Sequence, residues 1–257
     1  MSDNKSISSV LGQGDLSWSM MKRAPGGIGK AVVDYGLPAA VLAMTMALVA
    51  VASAGVPAPT MVPGRTIASW DFTKATEELI TNSVAGMPTL KAGTDAPATV
   101  KDGLQFNNGA CLRGAGLPGL LDGKTSFELS MELKPLLLPS GHCGGLFQCF
   151  EYQKAGFRFY LYRFMTLGVD IHPGQDKLAK LNGTTKLELG KAYEVKLWFT
   201  PTYAYMYLDG KLDGAVKTGL PAATKAEIIV GIASGQDYYY NGIIKYLTIK
   251  ELVDKKP

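Results

Sequence analysis

Histidine and cysteine are scarce in this chain of 257 residues: His142 and His172 are the two histidines, and Cys111, Cys143 and Cys149 the three cysteines. A structural zinc site needs four ligands, and neither histidine has partners at ligand spacing; His142-Cys143 is a pair, not a cluster. Three cysteines are too few for a disulfide framework and leave one thiol over whichever two are joined. Cys143 and Cys149 are spaced to bridge across a short hairpin, or either could reach Cys111. Charge blocks are missing too. Beyond residue 64 there are 22 basic and 19 acidic residues, evenly spread, without the basic stripe of a nucleic-acid binder. The glycine-rich stretch 141–145 lacks the lysine and following hydroxyl of a phosphate loop and reads as a turn. No nucleophile, base and orienting group fall into a set, so the sequence supplies no case for an enzyme.

What is present is a run of twenty residues without a charge, Leu37 to Val56, long enough for the hydrocarbon core of a bilayer. It divides a polar tail, residues 1–36, from about 200 residues of different character. Lys5, Lys22, Arg23 and Lys30 precede the run, and no basic residue follows it until Arg65. This bias puts the tail in the cytoplasm and the rest outside. The expectation is a single-pass protein of a bacterial inner membrane with a periplasmic C-terminal domain. Ala52-Ser53-Ala54 is also a small-residue cleavage site, so the alternative is secretion after cleavage near Ala54. Ala39, Ala43, Ala47, Ala50 and Ala54 would lie along one face of a helix, where small side chains let another membrane helix approach closely. Residues 57–67, with Pro57, Pro59 and Pro63, read as an extended spacer of roughly 30 Å.

From Trp70 onward the period is 2. Phe127, Leu129, Met131 and Leu133 alternate with Glu128, Ser130 and Glu132. Residues 194–200 and 203–208 repeat the habit. Asp209-Gly210 is a tight-turn signal, and 228–232 and 243–249 close the series. One short helix is expected over residues 74–81. Such a pattern predicts a sandwich of antiparallel sheets.

Several stretches carry a resemblance. Gly103-Leu-Gln-Phe-Asn-Asn-Gly109, Ser126-Phe-Glu-Leu-Ser-Met-Glu-Leu-Lys-Pro135, Leu189 to Phe199 followed by Tyr207-Leu-Asp-Gly-Lys211, and Asn241 to Ile249 resemble, in order, the strands of laminin G-like, concanavalin A-like domains. The likeness spans residues 68–252, leaving 253–257 as a tail. It implies a mainly β jelly roll behind one N-terminal transmembrane helix. The fold hosts lectins, glycosidases, adhesion modules and structural domains, so it implies no activity.

Tyr203, Tyr205 and Tyr207 alternate on one strand face, and Tyr238, Tyr239 and Tyr240 form a run beside Gln236, Asp237 and Asn241. These are the candidate ligand or partner surface, for a glycan or a protein. Glu128 and Glu132 resemble the paired glutamates of some hydrolases of this fold, with Ser130 where an aspartate belongs. No cofactor is expected; calcium, common in that family, would draw on Asp170, Asp176, Asp209 and Asp213. The leading expectation is a non-catalytic accessory subunit of a larger membrane assembly (respiratory, secretion or photosynthetic), partnered through the alanine face. A carbohydrate-binding module is the alternative and a glycoside hydrolase the lesser one.

Overall fold

The computed structural model describes residues 55–75, 79–117, 122–174, 176–233 and 238–255. The tail, residues 37–54 of the apolar run with its alanine face, and Gln236 and Asp237 lie outside the described residues. In chain order the strands are β1 (Met61–Asp71), β2 (Leu79–Ile80), β3 (Leu90–Ala92), β4 (Ala98–Val100), β5 (Gly103–Phe106) and β6 (Leu112–Gly114). Then come β7 (Phe127–Pro135), β8 (Cys143–Glu151), β9 (Ala155–Tyr162), β10 (Leu167–Gly174), β11 (Lys177–Asn182) and β12 (Tyr193–Phe199). The chain closes with β13 (Tyr203–Leu208), β14 (Lys211–Lys217), β15 (Ile228–Val230), β16 (Ile232–Ala233), β17 (Tyr238–Tyr239) and β18 (Gly242–Asp254).

They form two eight-stranded antiparallel sheets and one two-stranded ribbon, β16-β17. Sheet 1 runs β14-β13-β12-β7-β18-β5-β4; β1 shares the β5 side of β18, pairing Met61 with Asp254 and Asp71 with Tyr246. Sheet 2 runs β11-β10-β9-β8-β15-β6-β3-β2. The alternation decides which faces meet. Phe127, Leu129, Met131 and Leu133 of β7 and Tyr193, Val195, Leu197 and Phe199 of β12 turn inward. Sheet 2 answers with Phe147, Phe157, Phe159, Leu161, Val169 and Ile171. Four phenylalanines lock the sheets together: Phe127 and Phe157 each lie 4.7 Å from Phe199, and Phe147 lies 5.4 Å from Phe157, between ring centroids. The expected β-sandwich is what the chain forms.

Asp209 (φ 48°) and Gly210 (φ 77°) take the left-handed conformations of a two-residue hairpin turn between β13 and β14. The expected strand over 228–232 is broken at Gly231, whose φ is 94° and which sits where a Cβ would strike the Phe106 ring.

Three expectations need correction. The helix over 74–81 is absent from the described residues there: Phe72–Lys74 is one 3-10 turn begun by the Asp71 carboxylate, which accepts from Thr73 N–H at 3.1 Å. Ala75 is already extended, and Leu79–Ile80 pairs with Leu90 and Lys91. The spacer does not reach residue 67, because β18 offers a free edge and β1 fills it from Met61. The Tyr205 hydroxyl also donates to the Pro57 carbonyl at 3.0 Å, tying the preceding residues to sheet 1.

The third correction concerns the cysteines, all three of which are free. Cys143 and Cys149 stand on one strand, β8, not across a hairpin. Six residues of strand separate them by about 20 Å, far beyond the ~7 Å that a disulfide tolerates. Cys111 lies beside β6, which β15 holds two strand spacings, about 10 Å, from β8. Burial pushes the Cys149 thiol up to about 12, and its Sγ donates to the Ala226 carbonyl at 3.2 Å. Since the thiolate is the nucleophile, iodoacetamide at pH 8 is expected to leave Cys149 unlabelled until urea unfolds the chain. Peptide mass spectrometry reads this directly; labelling of native protein at Cys149 would contradict it.

Candidate functional site

The tyrosines of β13 do occupy one outward face of sheet 1. Tyr203 and Tyr205 are 5.8 Å apart, Tyr205 and Tyr207 6.5 Å, and Trp198 continues the row 5.4 Å from Tyr207. The central ring is not available as a platform, however. Tyr205 is buried, with the segment from Pro57 to Met61 beside it and its hydroxyl spent on the Pro57 carbonyl. The second run is largely structural. Tyr240 is wholly buried against Phe106, its hydroxyl donating to the Ile243 carbonyl. Asn241 Nδ2 donates to the Leu138 carbonyl, and Tyr239 N–H to Ser140 Oγ. Tyr238 and Tyr239 are half-buried in β17.

Glu128 and Glu132 both point outward from β7. Four residues apart on a regular strand, they are separated by about 13 Å, more than the ~5.5 Å or at most ~9.5 Å of a glycosidase pair. Each is also engaged: the Trp198 indole N–H donates to Glu128 Oε2 at 2.7 Å, and Lys245 Nζ lies 3.1 Å from Glu132 Oε1. The four aspartates considered for calcium do not converge. Asp213 accepts from Thr184 and Thr185, Asp209 accepts from Glu194 N–H, and Asp176 lies in the β10–β11 turn. Among the described residues no three acidic, histidine or cysteine side chains come together.

Asp170 has another role, and it marks a site that the sequence did not reveal. The antiparallel register of sheet 2 sets Lys180, Asp170, Arg158 and Gln148 side by side on β11, β10, β9 and β8. Arg158 Nε and Nη2 both reach Asp170 Oδ2, at 2.8 and 2.6 Å. The other carboxylate oxygen accepts from the Tyr160 hydroxyl at 3.0 Å. Tyr160 and Tyr162 share a hydrogen bond of 3.0 Å, and Tyr162 donates to Asn182 Oδ1 at 3.3 Å. Burial, then the Tyr162 and Asp170 neighbours, push the Tyr160 hydroxyl upward, so it stays a neutral donor. Gly168 makes the arrangement fit, since a Cβ there would run into both tyrosine rings. The Arg158 guanidinium lies over the Phe150 and Tyr160 rings, 5.2 and 5.8 Å from their centroids.

This network floors a cleft of about 410 Å³ on the outer face of sheet 2. Phe150 and Tyr152 supply aromatic walls; Gln153, Asp176 and Lys180 bring polar groups to the rim. His172 is buried at the edge of the cleft, its ring 5.1 Å from that of Phe150, and its Nδ1 has no hydrogen-bond partner. A buried polar atom without a partner costs about 1–3 kcal/mol. A second cleft of equal volume lies between Pro57–Met61 and Thr200–Thr202. Three prolines, three threonines and Asp254 are among its lining, and its one aromatic ring, Tyr205, is buried with its hydroxyl already satisfied, so it offers no open aromatic face.

No family model matches the chain, and no curated protein matches it in sequence. Solved structures do share its fold. One is a Trypanosoma rangeli sialidase in complex with 2,3-difluoro-KDN (TM-score 0.55, 16% identity, 76% of this chain and 31% of that one). Another is domain 4 of AbnA, a GH43 extracellular arabinanase from Geobacillus stearothermophilus, in complex with arabinotriose (TM-score 0.54, 18% identity, 74% and 94%). A third is a botulinum neurotoxin of type C, whose cell entry is dependent upon interaction with two ganglioside molecules (TM-score 0.56, 14% identity, 75% and 48%). The chain spans about a third of the sialidase and half of the toxin fragment. At these identities the likeness is one of fold: a β-sandwich of the kind found in both glycosidases and binding domains.

Proposed function

We propose that the sandwich is a non-catalytic glycan-binding module of the laminin G-like, concanavalin A-like kind, taking a sugar residue in the cleft of sheet 2. The observation that carries this is a cleft walled by Phe150 and Tyr152 and floored by the Arg158–Asp170 pair. Carbohydrate offers apolar C–H faces and a ring of hydroxyls, and this cleft offers aromatic faces and a ring of donors and acceptors. Arg158 and Lys180 flank Asp170 from the two neighbouring strands, and Asp176 adds a second carboxylate to the lining, so a neutral sugar fits better than an anionic one. The wide separation of Glu128 and Glu132 supports binding without hydrolysis. In this reading the apolar run anchors the module with its sandwich outside the cell. The accessory-subunit reading draws only on that run, and nothing in the described residues adds to it.

A glycan array probed with the full chain tests the proposal. Tyr152→Ala should weaken binding of the selected glycan about tenfold, the loss of one aromatic contact of about 1.4 kcal/mol. Tyr205→Ala should leave it unchanged. Absence of binding to any glycan, or loss on Tyr205→Ala alone, would overturn it.

A further inference from the structure

The cleft of sheet 2 lies at the end of the sandwich where the chain enters. Phe157, the third residue of β9, packs on Phe127, which opens β7, and on Phe199, which closes β12. Phe127 pairs with Glu251, and Met61, the first residue of β1, pairs with Asp254 three positions on. The β8–β9 turn with Tyr152 and Gln153 and the β10–β11 turn with Asp176 therefore stand at the entry end. The two turns are joined there, since Asp176 N–H donates to the Gln153 carbonyl at 3.2 Å. Phe164, in the β9–β10 hairpin, stands at the far end, about 30 Å away along β9.

The spacer is fastened at the same end. The Pro57 carbonyl accepts from the Tyr205 hydroxyl at 3.0 Å, the Thr60 carbonyl from Lys255 N–H at 2.9 Å, and β1 begins at Met61. Pro57 and Pro59 stiffen the residues between these ties. An arm that could have reached roughly 30 Å is thus laid against sheet 1. Gly55 and Val56, the last two residues of the apolar run, are all that separate the Pro57 tie from residue 54. With the run as an anchor, a sandwich mounted this closely is held by its entry end. Packed sheets lie about 10 Å apart, so the cleft on sheet 2 is within one sandwich thickness of the tie on sheet 1. Glycans at that height are lipid headgroups, whereas sugars carried on folded proteins stand farther from the bilayer. Resting on the glycan-binding reading of the cleft and on the run as an anchor, we propose that the cleft takes the neutral headgroup of a glycolipid in the membrane that anchors the chain.

The test uses the full chain in phosphatidylcholine vesicles, with Cys143→Ser because Cys143 is the one thiol of the three that is only partly buried. A donor dye on Lys154→Cys, in the β8–β9 turn, should pass more energy to rhodamine-labelled lipid than the same dye on Phe164→Cys. Ten glycine and serine residues inserted after Gly55, adding about 17 Å of slack, should level the two. Equal transfer from both positions without the insertion, or more from residue 164, would overturn the proposal. So would release of the chain from the vesicles by alkaline carbonate. A second arm takes the glycan that the array selects, either coupled to phosphatidylethanolamine in the same vesicles or free in solution, and follows it with the dye on Lys154→Cys. Half-saturation by the coupled form is expected at about tenfold lower bulk concentration, with Tyr152→Ala weakening both forms alike. Equal half-saturation, with binding on the array intact, would sink this proposal alone. A chain that binds no glycan would remove the reading of the cleft as well.

Discussion

Asp170→Ala should lower folding stability by about 3 kcal/mol, at the lower end of the 3–5 kcal/mol seen when one partner of a buried ion pair is removed. The lower end applies because the two groups are unequally shielded: the Asp170 side chain is 3% exposed and that of Arg158 25%. Asp170 accepts from Arg158 and from Tyr160, so its loss leaves a guanidinium between two aromatic rings without its carboxylate and a buried phenol without its acceptor. The cost comes from stranding these groups, not from any large net gain in the pair. Replacing both members, Arg158→Met with Asp170→Leu, should therefore recover most of the stability. Urea unfolding would show a lowered midpoint for the single variant and a near-normal one for the double. A single variant as stable as the double would refute the argument. In the proposed glycan site both variants should lose binding, which separates the stabilising role from the recognition role.

Phe157→Ala should cost more, about 3–5 kcal/mol. Phe157 is on β9 of sheet 2, yet its ring packs on Phe199 and Phe127 of sheet 1 and on Phe147 beside it. Truncation would open a cavity where the two sheets meet, and three neighbouring rings held by regular strands have little freedom to collapse into it. Against a typical stability of about 5–15 kcal/mol, that is enough to populate the unfolded chain at modest temperature. Phe157→Leu, which keeps most of the volume, should lose much less, below about 2 kcal/mol. Calorimetry or urea titration of the pair would decide between a packing role and a merely local one: equal losses would contradict the cavity argument.

The sandwich was legible because its strands alternate cleanly. Phe127, Leu129, Met131 and Leu133 can face only one way, and Asp209-Gly210 can make only one kind of turn. The cleft of sheet 2 was not legible, for a physical reason. Arg158 and Asp170 meet through hairpin register, which depends on the conformation of residues 163–166 and has no composition signature there. On β9, outward-facing Tyr160 and Tyr162 follow inward-facing Phe157 and Phe159, so aromatic residues on both faces blur the alternation. Gly168 was a usable clue, since a glycine within a strand marks a close approach. The tyrosines of β13 were correctly placed on one face. What covers the middle one comes from Pro57, 148 residues earlier, a separation no local pattern encodes. The helix expected over 74–81 failed because an aspartate cap can begin a single turn as well as a helix, and the edge of β3 then claimed the residues that follow.

The pairing of β1 with β18 bears on how the molecule comes to exist. Ser69 and Thr248, 179 positions apart, share a hydrogen bond across it. Strand β18 also separates β7 from β5, so sheet 1 has a gap at its centre until that strand arrives. Contacts this distant in sequence are formed late and slowly. Synthesis from the N-terminus therefore leaves sheet 1 open between β7 and β5 until β18 itself has been made.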